Sequence, residues 1–162
     1  MHRLGLRPRR TVRVVLWTNE ENGGRGGLAY RDSQADKVAK HVLAMESDNG
    51  VFNPKGYVLA ASDSAASVVQ QVAALLQPIN ATGVQRVSES PAADITPLAE
   101  GGVPTMELDV DGSRYFWYHH SEGDTLDKLD PGEMARCVAA MAVMAYVVAD
   151  LPEGLARSAT TN

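Results

Sequence analysis

The chain has 162 residues, of which 44% are hydrophobic and 22% charged, and its formal net charge is −5 at pH 7. This length suits one domain with a buried core, and the hydrophobic fraction excludes a disordered chain. The negative charge excludes the basic surface of a nucleic-acid-binding protein, so we expect no nucleic-acid partner. Cys137 is the only cysteine, which excludes an internal disulfide bond.

The first part of the chain alternates between predicted strands and helices. Residues 11–18 are a nearly continuous run of β-branched and apolar residues, which predicts a strand covered on both faces. A helix entered through glycines is predicted from Gly23 to about Arg31, and a second apolar strand from His41 to Asp48. Residues 56–62 form either a third strand or part of a loop.

The middle of the chain continues the alternation. Apolar residues recur at helical spacing from Asp63 to Gln77, and Pro78 is the predicted end of that helix. A short helix around residues 95–100 precedes a predicted strand over residues 104–110, which ends in the turn formed by Asp111 and Gly112.

The last predicted helix has the clearest start. Asp130 can cap it, Pro131 suits the first helical position, and Glu133 completes a start that resembles a capping box. The helix is predicted to run to about Asp150. Its apolar run over residues 137–149 is shorter than the roughly 20 residues that span a bilayer, so we expect no membrane partner.

The alternation of strands and helices predicts a three-layer α/β sandwich with a mostly parallel sheet. We predict one domain over residues 1–153 and a flexible tail over residues 154–162. In open sheets of this kind, functional side chains gather beyond the carboxyl ends of the strands. Glu20, Glu21 and Asp48 each follow a predicted strand, so they can converge although they are distant in sequence.

These acids, with a late histidine, suit a metal site. Glu21, Asp48 and His120 offer the carboxylate and imidazole ligands that divalent metals prefer. Glu20 cannot easily point the same way as its neighbour. One glutamate can therefore bind metal while the other acts as a general base on metal-activated water. The glycines that follow allow a sharp turn and leave room above the metals.

Two other interpretations stay open at this point. Adjacent glutamates before glycines also suit a solvated helix start, and a histidine pair without a compact metal signature is a weak signal. An anion site at "NGGRGG", with glycine amides and Arg25, is the other alternative. It lacks the Lys-Ser/Thr pair of a P-loop, and Glu20 and Glu21 would repel an anion.

Four segments of the chain, taken in order, resemble a known family. They are "RTVRVVLWTNEENGGRGGLAYRD", "HVLAMESDNGVFNPKGY", "AADITPLAEGGVPTMELDVDG" and "YFWYHHSEGDTLDKLDP". They are similar to consecutive blocks of the carboxypeptidase Q group of di-zinc metalloexopeptidases, which also include bacterial leucyl aminopeptidases. The similarity extends from about Leu4 to Glu153. It implies a zinc-exopeptidase fold, two zinc ions as cofactors, and short peptides as substrates.

The resemblance also implies roles for individual residues. Glu20 matches the general base of the family and Glu21 a ligand of one zinc ion. Asp48 and His120 match ligands of the other zinc ion. The remaining matches are less specific. His119 either stabilises the transition state or is a packed residue. Asp94 and Asp124 match positions that support the metal ligands or the fold.

Part of the family's ligand set has no counterpart in this chain. In the family, a histidine and a bridging aspartate lie before the "NEE" block, whereas 19 residues precede Glu20 here. The only histidine among them, His2, lacks that context. The resemblance therefore implies the carboxyl-terminal part of a catalytic domain, with the amino-terminal portion missing. A catalytic zinc normally has three protein ligands, so we expect weak zinc binding and little or no peptidase activity.

The leading hypothesis is thus a zinc-dependent exopeptidase of the carboxypeptidase, dipeptidase or aminopeptidase type, of which this chain is expected to carry only part of the catalytic domain. The alternative is a non-catalytic interaction or dimerisation domain of the same fold, with a possible homodimer. The start "MHRLGLRPRR" lacks the apolar core of an export signal, so we expect a soluble chain. The resemblance implies that relatives are often secreted or periplasmic, and the compartment stays open.

Overall fold

A four-stranded mixed sheet forms the centre of the protein. The computed structural model describes residues 2–157. The strands are β1 (Ala44–Glu46), β2 (Pro54–Ala60), β3 (Gly83–Arg86) and β4 (Thr105–Val110), in the spatial order β1-β4-β2-β3. The α-helices are α1 (Arg25–Ser33), α2 (Asp63–Ala73), α3 (Thr96–Glu100), α4 (Tyr115–Tyr118) and α5 (Pro131–Asp150).

The strand directions explain why one edge of the sheet collects polar residues. Strands β1 and β4 are parallel, β2 and β3 are parallel, and β2 runs antiparallel to β4. The carboxyl ends of β1 and β4 therefore lie at the same edge of the sheet, where the chain continues toward Asp48 and His120. The predicted α/β architecture with an open, mixed sheet is confirmed.

Helices cover both faces of the sheet. On one face, α2 and α5 pack against the inward side chains of β2 and β4, among them Tyr57 and Met106, which are at most 1% exposed. The Tyr57 hydroxyl donates a hydrogen bond to the Ala140 carbonyl of α5 at 2.9 Å, which satisfies its buried polar atom. On the other face, α1 and α3 cover a smaller cluster that includes Ile95 and Leu98.

The prediction of a covered strand over residues 11–18 is wrong. These residues form no strand, because none of their backbone groups hydrogen-bonds to another backbone group within residues 2–157. Val14 and Leu16 are 85% and 88% exposed. A strand exists only through pairing with a neighbour, and a local apolar run does not reveal whether a neighbour is present.

Other elements differ in extent from their sequence predictions. Strand β1 is shorter than the predicted run from His41 to Asp48, and residues 54–60 form the central strand β2 rather than a loop. Helix α2 passes into a 3₁₀ helix over Ala74–Ile79 that contains Pro78, so the proline does not mark the end. Strand β3 and helix α4 were not predicted. Each has only four residues, at least half of which are exposed, so neither has a clear hydrophobic pattern.

Helix α5 begins as predicted and differs from the prediction in one side chain. Asp130 accepts a hydrogen bond from the Glu133 amide at 2.8 Å, and Pro131 is the first helical residue. The Glu133 carboxylate does not return to the cap. It accepts hydrogen bonds from Arg114 at 2.7 Å and from Asn53 at 2.8 Å instead, which anchors the helix start to two loops.

The expectation that no segment is long enough to span a membrane was based on the apolar run over residues 137–149. The whole helix α5 is longer, with 20 residues. It is the one helix among the described residues that is long and apolar enough to cross a membrane by length and composition. About a third of it is buried in the protein, and the core helix of a globular domain meets the same criteria. Cys137 lies on its buried face as a free thiol.

The predicted tail over residues 154–162 is described only as far as Arg157. Leu155 is 6% exposed, and the Arg157 guanidinium donates hydrogen bonds of 2.9–3.2 Å to four backbone carbonyls. Residues 154–157 therefore pack against the domain, which corrects the tail boundary. Residues 158–162 lie outside the described part of the chain.

The cap of α5 gives a test of this part of the fold. Asp130→Ala should lower the free energy of unfolding by about 1 kcal/mol, because the Glu133 amide loses its side-chain acceptor. Urea denaturation followed by circular dichroism measures the change. Glu122→Ala, which removes an exposed acid from a loop, is the control and should change stability by less than about 0.5 kcal/mol. Equal losses in the two variants would contradict the capping role.

Candidate functional site

One cavity of about 570 Å³ lies at the carboxyl edge of β1 and β4. Its walls come from segments that are far apart in sequence, namely the turn after residue 18, the end of β1, the loop before α3, and the segment after β4. Every site residue predicted from the sequence lines this cavity: Glu20, Glu21, Asp48, Asp94, His119, His120 and Asp124. The structure therefore brings all of them to one place.

A tight turn directs the two adjacent glutamates to different neighbours. The Glu20 carbonyl accepts hydrogen bonds from the amides of Gly23 and Gly24 at 3.0 and 2.9 Å. Gly24 has a φ of 63°, a left-handed conformation that glycine adopts without strain. After this turn, Glu20 is half-buried close to Asp94, whereas Glu21 is exposed and reaches across the cavity to His120.

A direct contact across the cavity joins Glu21 to His120. The Nε2 atom of His120 lies 2.6 Å from Oε1 of Glu21, although the two residues are 99 positions apart. His120 has a φ of 56°, an uncommon conformation for a residue with a side chain, which turns the imidazole toward the cavity. The sequence interpretation assigned these side chains to different zinc ions, and the structure places them in direct contact.

A stack of rings holds the histidine pair. The rings of His119 and His120 have centroids 3.8 Å apart, and the ring of Tyr115 stacks on the other side of His119 at 4.5 Å. His119 is therefore a packed residue whose ring supports that of His120. Burial raises the pKa of Tyr115, and the charges of Asp48 and Glu21 raise it further.

Two buried carboxyl groups lie under the exposed acids. Glu46 and Asp94 are each 5% exposed, and each has one carboxylate oxygen without a hydrogen-bond partner among the described residues. Burial raises the pKa of Glu46 to about 7, helped by the charge of Asp94, while a hydrogen bond from the Ile95 amide opposes the shift. Burial followed by the charge of Glu20 raises the pKa of Asp94. In both groups burial therefore penalises the charged form.

A third carboxyl group behaves in the same way on β4. Burial raises the pKa of Glu107 to about 7, and the nearby charges of Asp48 and Asp109 add to the shift. The Asn49 side-chain amide donates a hydrogen bond to Glu107, which fixes the loop that carries Asp48. Ionising all the carboxyl groups at this edge of the sheet would therefore cost free energy, because they are partly buried and close to one another.

Two of the glycines that follow Glu21 permit close packing, a function that the sequence analysis did not predict. Gly26 and Gly27 do not line the cavity. A Cβ atom at Gly26 would collide with the backbone of Thr18, and one at Gly27 with the carbonyl of Asp94. These glycines let the start of α1 pack closely against the segment before Glu20 and the loop before α3. They therefore position Glu20 and Asp94 relative to each other.

The donor set has the right chemistry for zinc but is incomplete. Glutamate, aspartate and histidine side chains are all zinc ligands, and the unpartnered oxygens of Glu46 and Asp94 face the same region. Within residues 2–157, no three His, Cys, Asp or Glu side chains lie close enough together to hold a metal ion. The Glu21–His120 pair with the nearby Asp48 therefore fits part of a metal site.

Sequence analysis missed Glu46 and Tyr115 as residues of this cavity. A signal for each was present. Alternate residues of a strand share one face, so Glu46 and Asp48 in "MESD" point to the same side. Residues four apart share one face of a helix, which places Tyr115 beside His119.

The profile of peptidase family M28 matches residues 1–145 of this sequence. The chain belongs to peptidase family M28. Curated M28-like relatives include carboxypeptidase Q of rat and of human, each 44% identical over 155 residues, and of mouse, which is 45% identical. These alignments cover 96% of this chain but only 32–33% of each relative. The chain therefore spans about a third of the length of the relatives it matches.

Solved structures agree with this family assignment. A peptidase M28 precursor from Shewanella amazonensis superimposes with a TM-score of 0.82 and 37% identity over 91% of this chain and 33% of that chain. Legionella LapA has a TM-score of 0.57 and 15% identity over 83% of this chain, a likeness that concerns the fold alone. The M28 fold is thus present in the part of the chain that carries the cavity.

The buried Glu46 gives a prediction for the pH dependence of stability. Its pKa is about 7 in the folded chain and about 4.5 when exposed, so the folded state holds a proton that the unfolded state loses between these values. The contribution of this group to stability should therefore be fully present below pH 4.5 and be lost as the pH rises from 4.5 through 7, by about 3 kcal/mol. Urea denaturation at pH 5 to 8, in buffer with a chelator, measures the slope.

The matched variant for this experiment is Glu46→Gln, which keeps the shape and removes the titration. Its stability should vary less with pH than that of the native chain. Some slope should remain, because Asp94 and Glu107 also have raised pKa values. Glu122→Gln, in an exposed loop, should keep the native slope. Identical slopes in the native chain and in Glu46→Gln would show that Glu46 does not titrate as described.

Proposed function

We propose that this chain supplies part of the active site of a zinc-dependent exopeptidase that hydrolyses short peptides. The observation that carries the proposal is the convergence of Glu20, Glu21, Asp48 and His120 from three distant segments on one cavity. Membership of peptidase family M28 supports peptide hydrolysis as the reaction class. The name carboxypeptidase Q, which several relatives carry, supports an exopeptidase that acts on a free terminus.

Glu21, Asp48 and His120 are the residues that would hold zinc. All three reach the cavity from exposed positions at the carboxyl edge of the sheet, and the contact between Glu21 and His120 brings two of them together already. When bound, zinc polarises a carbonyl group and lowers the pKa of water, which is the chemistry that peptide hydrolysis needs. The stacked ring of His119 keeps the imidazole of His120 from rotating away.

Glu20 is the proposed general base. It is half-buried in the same cavity, and its charge acts on the nearby Asp94. From this position its carboxylate would accept a proton from the attacking water and return it to the leaving amine. Asp94 is the residue that would orient Glu20. Asp124 lies at the exposed rim of the cavity, and its amide donates a hydrogen bond to the Ser121 carbonyl at 3.1 Å, which fixes the loop after His120.

The cavity carries groups suited to either terminus of a peptide, as carboxypeptidase, dipeptidase or aminopeptidase action would need. Lys128 is the one lysine or arginine among the described residues that line the cavity, and a cation of this kind can pair with a terminal carboxylate. Its ammonium group is 2.5 Å from Asp127, which partly neutralises it. The surrounding acids would attract the ammonium of a free amino terminus equally well.

The second candidate is a non-catalytic interaction or dimerisation domain. It is favoured by one observation, the absence of three metal-ligating side chains within reach of one ion in residues 2–157. Both candidates predict that this 162-residue chain has little or no peptidase activity. They differ in the expected response to zinc, because only a residual metal site would bind zinc through Glu21 and His120.

Zinc titration tests the state of the site. Isothermal titration calorimetry should give a dissociation constant weaker than about 1 μM, because the ligand set is smaller than that of a complete site. Hydrolysis of a dipeptide series in the presence of zinc should not exceed the buffer rate. Two tight zinc sites together with hydrolysis would overturn the expectation of an incomplete centre.

Paired substitutions of the two glutamates test their assigned roles. Glu21→Gln should weaken zinc binding at least about tenfold, because a ligand is lost. Glu20→Gln should change zinc affinity by less than about twofold, since it is Glu21 and not Glu20 that contacts His120. The two variants are matched controls for each other, because they remove the same charge at adjacent positions. An equal loss in both, or no loss in Glu21→Gln, would contradict the assignment and favour the non-catalytic domain.

A further inference from the structure

The segment that carries His120, residues 112–129, has few hydrogen bonds to the rest of the protein. Most of its hydrogen bonds join near neighbours in sequence. Within residues 2–157, only two side-chain contacts join it by hydrogen bonds to more distant residues. One is the contact between His120 and Glu21 in the cavity, and the other joins Arg114 to Glu133. The second contact therefore anchors the segment from outside the cavity.

The ion pair between Arg114 and Glu133 is well ordered by its surroundings. The Nη2 atom of Arg114 donates to both carboxylate oxygens of Glu133 at 2.7 Å, and the two side chains are 28% and 11% exposed. The Asn53 side-chain amide also donates to Glu133, and its oxygen accepts from Nε of Arg136 at 3.0 Å. A largely buried pair whose polar atoms are satisfied by further hydrogen bonds has a defined geometry. Glu133 therefore fixes the direction of the Arg114 side chain.

The same guanidinium contacts the loop that carries Asp48. The Cζ atom of Arg114 lies 4.7 Å from the centroid of the Phe52 ring, which is a cation–π contact. Phe52 is buried and lines the acidic cavity. A Cβ atom at Gly50 would lie 2.9 Å from this ring, so the ring packs closely against the backbone two residues after Asp48. Arg114 thus joins the start of α5 to this loop.

The backbone of Arg114 leads directly into the ring stack behind His120. The next residue is Tyr115, whose ring stacks on that of His119 with the centroids 4.5 Å apart. The His119 ring stacks in turn on that of His120 at 3.8 Å. A displacement of Arg114 would therefore move Tyr115 and, through the stacked rings, the imidazole of His120. Arg114 itself does not line the cavity.

We propose that Arg114 is a positioning residue, which Glu133 holds so that the segment carrying His120 keeps a fixed place relative to the loop carrying Asp48. The inference rests on the proposed function in one respect, because Asp48 and His120 are the residues that would hold zinc. Groups outside a metal site that orient its ligands commonly affect metal affinity by about tenfold or more. The ion pair supplies this orientation without contact to metal or substrate.

Zinc binding by variants of the whole chain is the first measurement. Arg114→Gln removes the charge and should weaken zinc binding at least about tenfold in isothermal titration calorimetry. Arg114→Lys keeps a cation opposite Glu133 and should restore the affinity to within about threefold of the native value. The matched control is Arg86→Gln, which removes an arginine from the exposed ion pair with Asp63, away from the cavity. It should leave zinc affinity unchanged within about twofold.

Hydrogen exchange of the zinc-free chain is the second measurement. The amides of His119 and Ser121 donate to backbone carbonyls at 3.0 and 2.9 Å. They should exchange at least about threefold faster in Arg114→Gln and in Glu133→Gln, while the amide of Val69 in α2 stays within about twofold of its native rate. The variant with both substitutions should resemble the more affected single variant, because both act on one contact. Circular dichroism confirms that each variant is folded.

The two measurements separate this inference from the proposed function. Native exchange rates at His119 and Ser121 in Arg114→Gln would overturn the positioning role, and so would a loss of zinc affinity that Arg114→Lys does not restore. Zinc binding that is lost in Glu21→Gln but unchanged in Arg114→Gln would support the proposed function and contradict the positioning role. If the native chain binds no zinc, the proposed function fails, and hydrogen exchange of the zinc-free variants alone decides the role of Arg114.

Discussion

Burial of carboxyl groups at one edge of the sheet, reinforced by repulsion among them, is the constraint on which the rest of the structure depends. Strands β1 and β4 end side by side, and the acids that follow them must share a small volume. The pKa values of Glu46, Asp94 and Glu107 are raised, which means that the ionised forms of these side chains destabilise the folded state. Functional sites are the usual places where a fold tolerates such a cost, and a bound cation would remove it.

Much of this arrangement followed from the sequence because it depends on local signals and one general rule. Asp130 and Pro131 identify the start of α5 within a few residues, and alternating elements predict the layered fold. The rule that strands of an open sheet place their carboxyl ends together was enough to predict that Asp48 and His120 line one cavity, whereas Glu21 reaches it from a segment that is not a strand. Their roles in binding metal stay predictions, since geometry alone does not assign them.

What the sequence did not reveal depends on contacts between distant segments. The run over residues 11–18 has the composition of a buried strand, but its pairing depends on a neighbour that no local pattern encodes. The close packing that Gly26 and Gly27 permit is visible only once Thr18 and Asp94 are placed against α1. Burial of Glu46 is likewise a tertiary property, because an acid at a strand end is exposed in most sheets.

The bonds made by Arg157 link the far end of the molecule to the site. Its guanidinium joins the carbonyls of Val38, Ala39 and His41, which lie just before β1, to that of Gly101, which lies just before β4. One side chain thus links the segments before β1 and β4. The acidic cavity lies at the carboxyl ends of the same two strands. A residue far from the cavity in sequence therefore fixes the spacing of the two strands that carry it.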